Sequence, residues 1–393
     1  MVPLKGIQVI DVSPLVPSSL ASMLLGDFGA DVIKVELPDE SNDARKIWSY
    51  PDVNGMSSIF SAFNRNKRSV TIDLRKERGR EVFLRLCAKA DVVMEGFRSG
   101  VADEFGIGFP AVRKVNGGII YCSLSGFGAT SPYRSRPGHD LDFAALSGAL
   151  SLTGNVDGSP SLPGYLVADF SGAMMATVAV LIALMRRERE GSGPQHVDIS
   201  LLDSVISLMG FAFLSGAAGD IFPRGNDLLF NGKAACYNYY RTRDDRYLVV
   251  TAMEPKYWEA LCRALDREDL IGLHLEDESQ ACLKEELSAI FVERTLYEWM
   301  DLLGDEVCVS PVLTLDEVYH SEHTRSRGLF REIRDQENGV SFLQADNPIL
   351  FTDAPRASLK KRPPFKGEHT SELLLTLGYS EDDLCALRRS SII

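Results

Sequence analysis

"IQVIDVSPLVPSSLASMLLGDFGADVIKVEL", residues 7–37, decides the fold. Its first part, 7–13, is rich in Val and Ile and reads as a strand. Residues 18–29 carry a helical apolar pattern, with Ser18 or Ser19 as the expected N-cap. Residues 31–37 read as a strand again. Two strands joined by a helix lie parallel, with a right-handed crossover. The same alternation continues through strands at 69–74, 91–97 and 117–125, with 77–90 and 109–116 between them. It predicts an α/β fold built on a parallel sheet.

A nicotinamide cofactor does not fit this sheet. After the first strand the chain reads "DVSPLVPSSLAS", without the glycines of a dinucleotide phosphate turn. "SGFGATSP" (125–132) holds one G-x-G, but no helical pattern follows it, and no P-loop occurs. Further on, 167–190 and 198–214 predict two long helices separated by the turn-prone "GSGPQ" (191–195). Residues 246–253, 256–265, 283–304 and 308–313 suggest a smaller mixed unit. Residues 360–390 read as a proline-rich connector and two short helices.

Composition narrows the function. The chain of 393 residues carries a net charge of −13, which disfavours nucleic acid as a partner. Its seven cysteines are scattered and form no C-x-x-C, so no disulfide framework is expected. No basic segment leads into a signal-type apolar run, and the chain reads as cytoplasmic. Ser171–Met185 is apolar, but its 15 residues end at "RRERE". A membrane span needs about 20, so a buried helix is expected and no membrane.

Of six histidines, His274, His320, His323 and His369 lie in polar surroundings and read as solvated. His320 and His323 have ligand-like spacing, but zinc needs three or four converging ligands, and no metal site is expected. His196 reads as the start of a helix. His139 differs: it follows Pro137-Gly138, precedes Asp140 and opens the helical "DFAALSGALSL". It is either a locally hydrogen-bonded helix-start residue or an acid/base group. Asp169 opens "DFSGAMM". It is either the cap of a helix over 170–185 or a carboxylate tuned between helix dipole and burial.

Ten stretches in register extend the reading: "LKGIQVIDVS", "LLGDFGADVIKVELP", "NRNKRSVTIDLRK", "ADVVMEGFRSGVADEFGIG", "IIYCSLSGFG", "GHDLDFAALSGAL", "LVADFSGAMM", "VVTAMEPKYW", "CVSPVLTLDEV" and "GEHTSELLLTLGYS". Together they resemble the class III CoA-transferase superfamily (CaiB/BaiF type), most closely its α-methylacyl-CoA racemase branch. In the transferases the residue matching Asp169 is a nucleophile that carries CoA as an aspartyl thioester. In the racemases it is one of two acid/base groups, the other being the histidine of the "GHD" motif, here His139 followed by Asp140. Family transferases generally lack that histidine and carry a glycine-rich loop in the small domain. "DIFPRGNDLLFNGKAAC" has no glycine run. The resemblance therefore implies an acyl-CoA racemase that inverts the α-carbon of a 2-methylacyl-CoA-type thioester by 1,1-proton transfer. CoA transfer between carboxylic acids is the alternative.

Such an inversion needs a base on each face of one carbon and donors for the enolate oxygen. Backbone N–H groups of Asp169, Phe170 and Ser171 at a helix N-terminus would serve as those donors. The resemblance implies that Glu254 pairs with the histidine and that Tyr237 lies near the acyl pocket. Arg65, Lys67, Arg68 and Arg98 match the nucleotide-facing stretches, and Gly138 and Phe143 belong to the CoA-binding set. Two departures stand out: Leu37-Pro38 where the family often has Arg-Pro, and Phe143 where racemases often have tyrosine. No prosthetic group is implied, since CoA enters as part of the substrate. The expected architecture is a Rossmann-like large domain (1–220), a small α+β domain (221–330) and a C-terminal segment (331–393) returning to the large one. Two chains would interlock as linked rings, each site lying between one subunit's large domain and the other's small domain.

Overall fold

The computed structural model describes residues 2–39, 45–46, 52–154, 159–219, 222–225, 227–336, 338–352 and 361–393. Asp220, Ile221 and Asn226, in the stretch read for its lack of a glycine run, and Lys360, at the head of the connector, lie outside the described residues. The chain divides into two units. One holds Met1–Ser147, Tyr165–Leu208 and Glu322–Ile393; the other holds Gly148–Gly164 and Met209–Ser321.

The first unit is built on six parallel strands: β1 (Gln8–Asp11), β2 (Asp31–Glu36), β3 (Lys67–Thr71), β4 (Val92–Glu95), β5 (Ile120–Ser125) and β6 (Gln195–Ser200). Their order is β3-β2-β1-β4-β5-β6, which reverses between β1 and β4 as in doubly wound sheets. Val9, Ile10, Val32, Ile33, Val92 and Val93 are fully buried, as expected where helices cover both faces of a parallel sheet. The helices of this unit include α1 (Val16–Asp27), α2 (Glu77–Cys87), α3 (Phe109–Val115), α4 (Asp140–Leu146), α5 (Val167–Glu190) and α6 (Leu201–Leu208). Val82, Phe83 and Leu86 of α2 and Val112 of α3 share one core with the sheet and with Leu373, Leu384 and Leu387 of the last two helices.

Three local readings change. α1 starts at Val16 with Leu15 as its N-cap, so Ser18 and Ser19 lie inside the first turn and are buried. Residues 195–200 form the sixth strand, pairing Tyr121 with His196 and Ser123 with Asp198. His196 is therefore a strand residue: its ring stacks on Phe109 at 4.9 Å and meets the Ser123 hydroxyl at 3.0 Å. The exposed polar side of an edge strand masked its two-residue period. α5 runs 24 residues and by length and composition could cross a membrane, with only a third of its apolar window buried. Ala168, Gly172, Ala176, Val180 and Ala183 are buried, whereas Met174, Val178, Ile182 and Met185 are about half exposed. It is a one-sided core helix with the expected bounds, less buried than its sequence suggested. At Gly172 an added Cβ would lie 2.2 Å from the Leu201 side chain, so glycine permits the close approach of α5 to α6.

Among the described residues the outer edge of β3 meets no further strand. Instead Asn66 N–H donates to Lys361 O, Ser69 O accepts from His369 N–H, Thr71 N–H donates to Thr370 Oγ1, and Asp73 N–H donates to Ile392 O. His369 is half-buried there, its Nδ1 accepting the Ser69 N–H at 3.2 Å. The C-terminal segment thus supplies partners that an open edge would lack.

The second unit has a three-stranded antiparallel sheet of β7 (Tyr237–Arg241), β8 (Tyr247–Thr251) and β9 (Val309–Pro311), in the order β9-β8-β7. α7 (Pro255–Ala264), α8 (Gln280–Phe291) and α9 (Leu296–Leu303) supply Trp258, Phe291 and Trp299 to its core. His274 is packed rather than solvated: it stacks on Trp258 at 5.3 Å, and its Nε2 lies 2.9 Å from Ala252 O.

Candidate active site

The junction of α4 and α5 organises the site. His139 is the N-cap of α4 in extended conformation, and its backbone N–H donates to the Asp142 carboxylate at 2.9 Å. That bond fixes the backbone and leaves the residue exposed. Below it, the Phe143 ring is buried and lies edge-to-face with Phe127 at 5.2 Å. A Cβ on Gly126 would stand 2.5 Å from this ring and one on Gly138 3.0 Å. Gly138 and Phe143 therefore seat α4 by packing. Phe143, expected among the CoA-binding residues, is 2% exposed and has no surface to offer a ligand.

α5 opens without a capping side chain of its own, since its N-cap is Leu166. The buried Asp140 supplies the cap from α4: its Oδ1 accepts from Ala168 N–H at 2.7 Å and from Asp169 N–H at 2.9 Å. Asp169 is consequently a first-turn residue, not the cap of a helix over 170–185. Its backbone N–H is engaged by Asp140, and that of Phe170 donates to Leu166 O at 3.0 Å. The expected oxyanion donors at Asp169 and Phe170 are thus already occupied. The sequence signal for this arrangement was "LVAD", a helix start with none of the usual capping residues before it.

The same contact sets the electrostatics. Burial, and then the negative charge of Asp140, push the Asp169 carboxyl up to about 7. Both of its protonation states are populated near neutral pH. Asp140→Asn keeps the acceptor oxygen but removes the charge. It is expected to move the acid limb of the pH–rate profile lower, whereas Asp140→Ala also costs about 1 kcal/mol of stability through loss of the cap. Rate profiles and thermal melts of both variants check this.

The basic cluster is corrected. Arg65 is buried and grips Asp27 through Nε (2.9 Å) and Nη2 (2.7 Å), with Nη1 on Ala345 O. Lys67 is buried, its Nζ donating to Asp11, Ser19 O and Asn64 Oδ1 at 2.8–2.9 Å. Burial lowers the Lys67 amine to about 7, with Asp11 opposing the fall. Lys34 and Lys67 outweigh the effect of burial on Asp11 and hold its carboxyl well below the usual range. Arg68 is paired with Asp31 and Glu372. Arg65 and Lys67 are thus buried among internal partners and present no charge to a polyphosphate, while the partly exposed Arg68 is ion-paired. Arg98 does remain exposed, with no ion pair among the described residues. A pocket of about 540 Å³ beside Pro38 is lined by Asp39, Asp73, Arg75, Lys76 and Arg388, none of them among the expected site residues.

Glu254 and Tyr237 stand in the second unit. Glu254 is the exposed N-cap residue of α7, and its carbonyl accepts from Tyr257 and Trp258 N–H. Tyr237 opens β7 and lies edge-to-face with Phe230 at 5.5 Å. No group of three or more metal-ligating side chains occurs among the described residues.

Residues 4–370 match CoA-transferase family III. The chain belongs to this family. Human alpha-methylacyl-CoA racemase is 34% identical over 394 residues, covering 99% of this chain and 97% of that one. Mouse succinyl-CoA:glutarate CoA-transferase is 31% identical over 401 residues, covering 100% and 91%. Among solved structures, a CAIB/BAIF family protein from Brucella suis superposes with a TM-score of 0.80 at 30% identity, over 95% of this chain and 99% of that one. This family III chain is accordingly an enzyme of the CoA-transferase and racemase superfamily, whose members use CoA substrates.

Proposed function

We propose that the protein inverts the α-carbon of a 2-methylacyl-CoA-type thioester, with His139 and Asp169 as the two proton-handling groups. One breaks the α C–H bond and takes the proton. The electrons move into the thioester carbonyl as an enolate, and the other group delivers a proton to the opposite face, leaving the thioester intact. The observation that carries the reading is the Asp140 bridge: the residue after the exposed His139 accepts the Asp169 N–H at 2.9 Å, and burial together with the Asp140 charge raises the Asp169 carboxyl to about 7. An acid/base group works best with both forms populated at the working pH, whereas a nucleophile needs the carboxylate. The enolate oxygen takes its hydrogen bonds from groups other than the Asp169 and Phe170 amides. Deuterium uptake at the α-carbon of a chiral 2-methylacyl-CoA in heavy water, with no acceptor acid present, tests the proposal, and absence of uptake across a panel of such thioesters sinks it.

The second reading, CoA transfer through an aspartyl thioester at Asp169, is favoured by the 31% identity to a CoA-transferase. It predicts a hydroxylamine-sensitive adduct at Asp169 and no exchange without an acceptor acid.

The half-exposed stripe Met174, Val178, Ile182 and Met185 on α5 supports a homodimer, because monomers rarely leave so large an apolar face in water. In this proposal a second copy covers the stripe, and Glu254 of the partner subunit orients His139. Ile182→Glu is expected to shift the protein toward monomer in sedimentation velocity and to remove most exchange activity. A monomeric wild type would end this part of the proposal.

A further inference from the structure

The loop that leads into His139, residues 131–138, has a feature the two-base scheme does not use. It carries two guanidinium groups, Arg134 and Arg136, both exposed and neither ion-paired among the described residues. In a chain of net charge −13, the basic run at the start of β3 is neutralised, Arg65 by Asp27 and Arg68 by Asp31. These two are not.

Nor do they sit on a loose tail. Arg134 N–H donates to Ser131 O at 3.1 Å and Arg136 N–H to Tyr133 O at 2.8 Å, closing two successive turns. Tyr133 lies edge-to-face with Phe127 at 5.7 Å, and Phe127 in turn with Phe143 of α4. The Arg136 guanidinium lies 6.0 Å over the Tyr133 ring. Before these turns, Ala129 N–H donates to Asp198 at 2.8 Å and Gly128 N–H to Ser125 Oγ at 3.0 Å. The loop is thus pinned to β5, β6 and the aromatic ladder beneath His139. Arg136 is separated from His139 by Pro137 and Gly138 alone, a span of at most about 11 Å between Cα atoms.

We propose that this loop receives a carboxylate at the far end of the acyl chain, so that the substrate is a short, α-branched dicarboxylic acid carried as its CoA thioester. The inference rests on the two-base reading for placing the α-carbon at His139. Geometry favours an acyl carboxylate over the phosphates of CoA. The phosphates are separated from the thioester by the whole pantetheine arm, while the free carboxylate of a short diacid lies a few bonds from the carbon that meets His139. Guanidinium is the cation suited to it, binding carboxylates in two-point fashion.

The test uses the full-length protein and two α-methyl-branched acyl-CoA thioesters that differ only in a terminal carboxylate or its methyl ester, each also made as the pantetheine thioester. Binding is read by calorimetric titration, and turnover by α-deuterium exchange. The wild type is expected to bind the carboxylate form about 10-fold tighter than the ester, the scale of two exposed charge pairs. The preference should persist with pantetheine thioesters and fade in about 0.5 M salt. Arg134→Gln/Arg136→Gln should bring the ratio close to one. The salt series needs no variant and stands if that protein fails to fold. Equal affinities in the wild type overturn the proposal. So does a variant that loses affinity for both CoA thioesters alike but not for their pantetheine counterparts, since the anion is then a CoA phosphate. A binding preference without exchange keeps this proposal and defeats the two-base reading; exchange without preference does the reverse.

Discussion

His139→Ala is expected to lose inversion at the α-carbon by about 10³-fold, the usual contribution of a positioned acid/base group. It should also keep hydrogen exchange from one enantiomer only. With the imidazole gone, Asp169 can still remove and return a proton on its own face, but nothing delivers one to the other. Chiral chromatography of the thioester, run beside mass-spectrometric deuterium counting, separates the two effects. A transferase using Asp169 as nucleophile would keep its rate within a few-fold, since the histidine is not the attacking group. If inversion survives the substitution, the two-base scheme is wrong.

Asp169→Asn is expected to abolish both inversion and exchange from its own face, again by about 10³-fold, and at the same time to make the protein more stable above pH 7. The sign follows from the raised carboxyl. Its folded value of about 7 exceeds the ordinary aspartate value of about 3.9, so between those limits the native state holds a proton that the unfolded chain has released. Stability therefore falls as pH rises through this window, and above pH 7 the full cost of an ionised, half-buried carboxylate beside Asp140 is present. The neutral amide removes that cost. Allowing for solvent around a partly exposed group, the gain is about 2 kcal/mol at pH 8 and near zero below pH 4. Chemical denaturation at both pH values checks it. A variant no more stable than wild type at pH 8 would mean that the carboxyl is not strained by its surroundings. Gain of stability on loss of a reactive group is the common trade at active sites.

Much of this was legible in the sequence because the information is local. The strand–helix–strand reading of 7–37 and the long helix opening at "LVAD" depend on periods of two and 3.6 within a few residues of each other. The contact of Asp140 with the start of the next long helix was not legible from local pattern, since that cap joins residues 28 and 29 positions apart. The basic run at 65–68 misled for the same reason. Asp27, Asp11 and Asp31, which neutralise it, lie 38, 56 and 37 residues upstream. Parallel strands bring such positions together only through crossovers, and no local pattern announces the pairing. His196 was misplaced because an edge strand with one polar face offers little alternating hydrophobicity to detect.

The closure of β3 by residues 361–392 carries a consequence for biogenesis. A chain emerging from the ribosome builds its central sheet early, yet the hydrogen-bonding flank of Lys67–Thr71 stays bare until residues 361–392 have been made, while the second unit is already free to fold. Truncation before residues 361–392 would thus release a polypeptide with a sticky flank, and quality control of such fragments has to act before they pair with one another.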